Sequence, residues 1–191
     1  LDVKRGSGAF LPELSRGLEV AELMVGIGAD HDCPTVALVT AMDRPLGRAI
    51  GNALEVEEAL QALTGQGPED LLTVTRALAV EMLLLAGRAP EAAAARTLVD
   101  RALASGAALE RFRALIEAQG GDPAVVDDPG LLPQAAEVEL YEAPRGGTVA
   151  AVEPRPLGEA VVAMGGGRQQ LADPIDPTVG FVVSARPGAK V

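Results

Sequence analysis

The sequence predicts an α/β fold, in which part of a mixed β-sheet domain is covered by helices and followed by a smaller β-rich C-terminal module. Two short apolar runs, at residues 1–4 and 35–40, flank a segment with helical spacing, an order typical of a parallel sheet. Residues 51–118 contain successive helical segments separated by glycine and proline. From residue 136 onward, short β-prone runs alternate with glycine and proline.

The first predicted unit is a strand–helix–strand crossover. Residues 1–4 are predicted to end a buried strand, and Gly6 and Gly8 form the turn that follows. Apolar residues recur at helical spacing through residues 13–28, and the β-branched run 35–40 predicts a second strand. We expect this crossover to be right-handed.

Four helices are predicted next, at residues 51–63, 68–85, 90–105 and 107–118. Pro68 and Pro90 stand where a helix can begin without losing a hydrogen bond, and glycines stand where the helices end. In the last of these helices, an apolar stripe at Leu109, Phe112, Leu115 and Ile116 predicts core packing.

A change in composition after residue 128 predicts a domain boundary. The first unit then spans residues 1–128, a linker spans 129–135, and a second α+β unit spans 136–191. Within the second unit we expect strands at 138–141, 148–152 and 179–183, and a short helix at 157–164. Both ends of the chain interrupt predicted strands, so we expect a portion of a longer protein whose last strands lack partners.

Composition excludes several classes of function. A formal net charge of −11 with scattered arginines argues against a nucleic-acid surface, and no apolar run is long enough for a membrane helix. The single cysteine, Cys33, cannot form an internal disulfide, which favours the cytoplasm. With one histidine, His31, zinc has too few soft ligands, and the His31–Cys33 pair is predicted to be a surface turn.

The segment PLGRAIGNALEVEEAL, at residues 45–60, carries the clearest chemical signal. Two glycines and an asparagine are joined directly to an acidic helix. Glycine lets backbone carbonyls point where a side chain would block them, so the segment could hold a hard cation. From the residues alone, an ordinary capped helix is the favoured explanation, because Gly-Asn before a Glu-rich helix is common capping chemistry.

The same segment resembles one in the type II nucleoside phosphorylases, the family of pyrimidine nucleoside and thymidine phosphorylases. LDVKRGSGAF at residues 1–10 is similar to that family's strand-to-loop motif D-V-K-x-G-x-G-A-F. Further similarities are GAALERF at 106–112, QGGDP at 119–123 and GGGR at 165–168. The resemblance therefore extends over nearly the whole chain.

The resemblance implies a pentosyltransferase that uses inorganic phosphate to cleave a pyrimidine nucleoside, giving the base and a (deoxy)ribose 1-phosphate. It implies a homodimeric, cytoplasmic parent enzyme and a C-terminal module of barrel-sandwich type. The family's phosphate loop, catalytic histidine and base-reading residues lie before Leu1. No catalytic residue is therefore assigned here, and we expect the isolated chain to be inactive.

Two sets of site residues follow from the resemblance. The carbonyls of Leu46 and Ala49 and the carboxylate of Glu58 are expected to hold a structural potassium ion, with the other ligands upstream; the alternative is that Glu58 is a solvated helix residue. Phe10 is expected to line the apolar wall of the pyrimidine pocket, or else to plug the core. Lys4 is predicted to be structural rather than a phosphate ligand. The GGGR run lacks the Lys-Ser/Thr of a phosphate loop and is predicted to be a turn.

Two other functions remain open. One is a phosphoribosyltransferase of the same superfamily, against which the EVEEA segment and the C-terminal module argue. The other is a non-catalytic remnant that acts as a binding or assembly module.

Overall fold

The chain folds into six α-helices and two small two-stranded sheets, in a computed structural model that describes residues 1–191. The strands are β1 (Asp2–Arg5), β2 (Leu38–Ala41), β3 (Ala49–Ile50) and β4 (Phe181–Val182). The helices are α1 (Leu14–Asp30), α2 (Asn52–Leu63), α3 (Glu69–Leu85), α4 (Ala92–Ala104), α5 (Ala107–Ala118) and α6 (Pro154–Val161). Short 3-10 turns occupy Pro123–Val126 and Pro129–Leu131, and a π-helical turn at Val162–Gly166 follows α6. No helix combines the length and apolarity that a membrane span requires.

The predicted strand–helix–strand unit is confirmed. β1 and β2 are parallel, with Asp2 opposite Leu38 and Arg5 opposite Ala41, and α1 connects them. The second strand begins at residue 38 rather than at the predicted residue 35. The register explains this difference, because residues 35–37 would pair with positions before the first residue of β1.

The four central helices are also confirmed, with ends within about two residues of those predicted. α3 and α4 enclose the main apolar cluster, which consists of Val80, Ala89, Ala95 and Val99. The predicted apolar stripe of α5 packs only in part, because Leu109, Phe112 and Ile116 are half-buried, Leu115 is half exposed, and α5 has no fully buried residue. The helix lies at the edge of the fold, where its neighbours are α2, α4 and a single 3-10 turn.

The two strands predicted at 138–141 and 148–152 do not form. Val138, Leu140 and Tyr141 are exposed and lie outside any strand, while Thr148 makes one isolated bridge to Lys190. Alternating apolar residues favour a strand only where another strand offers its backbone groups. The helix predicted at 157–164 is confirmed as α6, which begins earlier because Pro154 occupies its first turn.

The strand predicted at 179–183 exists as β4, but its partner is unexpected. β4 pairs antiparallel with β3, with Ala49 opposite Val182 and Ile50 opposite Phe181. The pairing joins residues on both sides of the predicted linker 129–135. Two glycines permit the close approach, since a Cβ on Gly51 would lie 2.4 Å from the Val179 carbonyl oxygen and one on Gly180 would lie 2.2 Å from that of Ile50.

Candidate functional site

The loop between β2 and α2 closes around the carboxylate of Glu58. This residue lies on α2, is 8% exposed, and is the only buried charged residue of the chain. Its Oε1 accepts hydrogen bonds from the backbone N–H groups of Arg48, at 2.7 Å, and of Ala49, at 3.1 Å. Charge-assisted bonds of this kind compensate the carboxylate for its lost hydration. The alternative that Glu58 is a solvated helix residue is therefore wrong.

Gly47 is required at the point where the loop passes Glu58. Its φ is +72°, a left-handed conformation that side chains other than glycine rarely adopt. A Cβ at this position would lie 1.9 Å from Glu58 Oε2. Gly47 therefore has two roles: it allows the backbone to turn, and its lack of a side chain leaves the room that Glu58 Oε2 occupies.

The register of β3 determines which side its backbone groups face. The N–H of Val183 donates to the Arg48 carbonyl at 2.9 Å, while the Arg48 N–H donates to Glu58, so one of the two possible hydrogen bonds joins Arg48 to Val183. Ala49 occupies the next position of the ladder, opposite Val182, and turns its N–H away from β4. Its N–H meets Glu58 on that side, which brings Ala49 and Glu58 together. Leu46, the third predicted ligand, is half-buried in the same loop.

The donor set of this loop suits one class of cation. The chain has no group of three His, Cys, Asp or Glu side chains placed to hold a metal ion. A cation in this loop would therefore bind main-chain oxygens together with Glu58 Oε2, because Oε1 already accepts from the Arg48 and Ala49 N–H groups. Hard ions such as potassium accept oxygen ligands of this type.

The second predicted site residue, Phe10, ends the glycine loop that follows β1. This loop is held by bonds from the Gly6 N–H to the Pro12 carbonyl and from the Gly8 N–H to the Met42 carbonyl. Phe10 itself is fully exposed, so the alternative that it plugs the core is wrong. Its ring is accessible to a ligand, and its contact with a pyrimidine stays a prediction.

Lys4 belongs to a polar cluster on the β1–β2 sheet, in line with its predicted structural role. Its Nζ donates to Thr40 Oγ1 at 2.9 Å and lies 2.8 Å from Asp2 Oδ2. Partial burial by itself would raise the pKa of Asp2, but hydrogen bonds from Lys4 and Thr40 outweigh it and hold that pKa below its ordinary value.

Residues 154–186 reach both predicted site loops, a feature that sequence reasoning missed. Arg155 Nη2 donates to the Ala9 carbonyl at 3.1 Å, and Arg186 Nη1 lies 3.4 Å from the Pro45 carbonyl oxygen. The Gly166 carbonyl accepts from Asn52 Nδ2 at 2.9 Å, which agrees with a structural turn at 165–168. The only sequence signal for these contacts was the strand at 179–183, since neither arginine lies in a recognisable motif.

Comparisons with known proteins identify the family of the chain. The glycosyl transferase family a/b domain matches residues 1–109, and the pyrimidine nucleoside phosphorylase C-terminal domain matches residues 148–191. The chain is 44% identical over 188 residues to a pyrimidine-nucleoside phosphorylase of Staphylococcus haemolyticus, covering 98% of this chain and 43% of that protein. It is 44% identical over 191 residues to one of Staphylococcus aureus (strain USA300), covering 44% of that protein. The chain therefore spans less than half the length of these relatives, and it belongs to the pyrimidine nucleoside phosphorylase family.

Proposed function

We propose that this chain serves in a pyrimidine nucleoside phosphorylase. In the proposed reaction, an oxygen of inorganic phosphate forms a bond to the anomeric carbon of the pentose while the carbon–nitrogen bond to the base breaks. The base leaves with the electron pair and takes up a proton, and a (deoxy)ribose 1-phosphate remains. The supporting observation is the 44% identity to proteins of that name over 98% or more of the chain.

Within this proposal the chain supplies site walls rather than reacting groups. Phe10 contributes an apolar surface to the pyrimidine pocket, which its exposure permits. The groups that bind phosphate and stabilise the leaving base come from the part of the relatives that this chain does not span, so the chain alone is inactive. We place the working enzyme in the cytoplasm as a homodimer, with residues 136–191 as part of a barrel-sandwich module.

We further propose that the Glu58 loop holds a structural potassium ion. The carbonyls of Leu46 and Ala49 and the carboxylate of Glu58 are its ligands, and the remaining ligands come from outside this chain. The contact of the Ala49 N–H with Glu58, and the absence of a Cβ at Gly47, which lets Oε2 enter the loop, support this assignment. The ion braces the loop and takes no part in bond breaking.

A chimera tests the reaction. The 188 residues of the Staphylococcus haemolyticus protein that match this chain are replaced by it, and release of uracil from uridine and of thymine from thymidine is followed by chromatography. We expect release that depends on phosphate from the chimera, and none from the 191-residue chain alone. The unaltered relative serves as the positive control.

The alternatives predict other outcomes for the same chimera. A non-catalytic remnant would give a folded chimera without turnover. A phosphoribosyltransferase would consume phosphoribosyl pyrophosphate and ignore phosphate. Either result contradicts the proposed reaction.

The potassium site is tested by thermal denaturation of the chimera in potassium chloride and in tetramethylammonium chloride at equal ionic strength. An ion that binds the folded state and not the unfolded one stabilises folding by an amount that rises with the logarithm of its concentration above the dissociation constant, so potassium should raise the melting temperature. Glu58→Gln should abolish this difference, while Glu57→Gln, its neighbour on α2, should preserve it. Equal melting in both salts for the unaltered chimera would contradict the site.

A further inference from the structure

The loop of residues 45–51 is held from three directions. Glu58 accepts from its N–H groups on one side, and the N–H of Val183 donates to the Arg48 carbonyl on the other. At its start, Arg186 Nη1 lies 3.4 Å from the Pro45 carbonyl oxygen. The first two contacts act directly on Arg48 and Ala49, and the third acts on the beginning of the same loop, next to Leu46.

Arg186 is itself fixed by an acidic partner. Its Nη1 and Nη2 lie 2.9 Å and 3.3 Å from the two carboxylate oxygens of Asp70, a two-pronged arrangement that fixes the plane of the guanidinium. Asp70 is in turn oriented by the backbone N–H of Leu71, which donates to Asp70 Oδ1 at 3.0 Å. Both side chains of the pair are less than one third exposed, so solvent competes poorly for their hydrogen bonds.

The space between the loop and residues 183–187 is closely filled. The crevice lined by Pro45, Gly47, Val183 and Arg186 has a volume of about 10 Å³, which leaves room for no more than one water molecule. Arg186 and its neighbours therefore pack closely against the loop.

We propose that Arg186 is a positioning residue for the loop of residues 45–51. By bridging Asp70 and the Pro45 carbonyl, it sets the direction in which the chain enters the loop, and with it the direction of the Leu46 and Ala49 carbonyls. The functional meaning of this role rests on the potassium site proposed above. Lysine could not replace Arg186 fully, because it lacks the planar fork that contacts two groups at once.

The test measures hydrogen exchange of the Arg48 and Ala49 amides by NMR in the 191-residue chain. Arg186→Met should accelerate their exchange by about tenfold, the effect of losing one charge-assisted hydrogen bond. Arg186→Lys should give a smaller acceleration. Should Arg186→Met fail to fold, the exchange rates of the same two amides are compared in Arg186→Lys and Asp70→Asn.

Arg113 offers a matched control. Its guanidinium donates to both carboxylate oxygens of Asp127 and to the carbonyl of Pro123. These residues lie far along the chain from the loop of residues 45–51. Arg113→Met should change the exchange rates of the Arg48 and Ala49 amides by less than about twofold relative to the unaltered chain, because it removes a similar ion pair at a distant place. Equal acceleration by both variants, or none by Arg186→Met, would overturn the positioning role.

A second readout separates this role from the potassium site. In the chimera, Arg186→Met should raise the potassium concentration needed for a given increase in melting temperature, whereas Arg113→Met should not. If potassium has no effect even on the unaltered chimera, the potassium site is wrong, and the exchange measurement alone decides whether Arg186 positions the loop.

Discussion

At the scale of the residue, the site loop depends on the pairing of Gly47 with Glu58. A buried carboxylate needs nearby donors, and the Arg48 and Ala49 N–H groups supply them only because the backbone turns at Gly47 with a positive φ. The sequence predicted the importance of Glu58 through family resemblance. It could not predict the burial of Glu58, because the neighbouring Glu55 and Glu57 are typical of a solvated helix face.

Gly47→Ala is expected to destabilise the chain more than a matched glycine substitution. Gly65 also has a positive φ, of 79°, but a Cβ there meets nothing within 4 Å. Gly65→Ala should therefore lower the free energy of unfolding only by the backbone strain, about 1 kcal/mol. Gly47→Ala adds the collision with Glu58 Oε2 and should cost a further 1–3 kcal/mol, roughly.

Urea denaturation of the two glycine variants and the unaltered chain measures this difference. Equal losses at the two positions would show that Glu58 moves aside freely, and that the loop does not depend on its present geometry.

At the scale of the element, β3 and β4 show what sequence patterns can and cannot give. The run at 179–183 predicted a strand correctly, because its β-branched residues lie between glycine and proline. Its partner is only two residues long and lies more than 100 positions earlier, so no periodicity marks it. By contrast, the helices of residues 51–118 were predicted closely, since caps and periodicity are local signals.

The β3–β4 register predicts effects of unequal size for two neighbouring proline substitutions. The N–H of Val183 donates to the Arg48 carbonyl, whereas that of Val182 lies at the non-hydrogen-bonded position of the ladder. Val183→Pro should therefore lower the free energy of unfolding by about 1–2 kcal/mol and expose the loop amides to exchange. Val182→Pro should have a smaller effect on both quantities.

Denaturation and amide exchange of the Val182 and Val183 variants check this register. Greater damage from Val182→Pro would place the ladder out of register by one residue.

At the scale of the whole molecule, the chain leaves much apolar surface uncovered. Only 19 of its 191 residues are buried, and Leu18, Leu23 and Ile27 of α1 are exposed. The helical spacing of residues 13–28 predicted α1 correctly. The sequence could not predict which faces of α1 are buried, because burial depends on the elements that pack against the helix. Here the two-stranded β1–β2 sheet covers only one side of α1.

Stability of the whole chain is expected to fall in acid. The pKa of Asp127 lies below its ordinary value because Arg113 donates hydrogen bonds to its carboxylate. The pKa of Asp176 is also lowered, because its carboxylate accepts hydrogen bonds from Thr178. A carboxyl whose pKa is lower in the folded than in the unfolded state stabilises folding above the unfolded pKa, and this contribution is lost as the pH falls through the folded pKa. The loss should therefore begin as the pH drops below the ordinary value of 3.8.

Urea denaturation at a series of values between about pH 7 and pH 2.5 measures the effect. Asp127→Asn should be less stable than the unaltered chain at neutral pH and should decline less steeply in acid. A stability that stays constant down to the lowest pH, or an Asp127→Asn variant with an unchanged slope, would contradict the assigned carboxylates.

The pairing of β4 with β3 also constrains the order in which the chain can fold. Arg186 contacts Pro45 across 141 positions of sequence, and the ladder spans a similar separation. Contacts so distant require closure of a long loop of chain, which makes them slow to form compared with the local helices between them. During synthesis from the N-terminus, the glycine turn and Glu58 emerge long before residues 181–186 are added. The loop of residues 45–51 is consequently among the last parts of the chain to reach its final geometry.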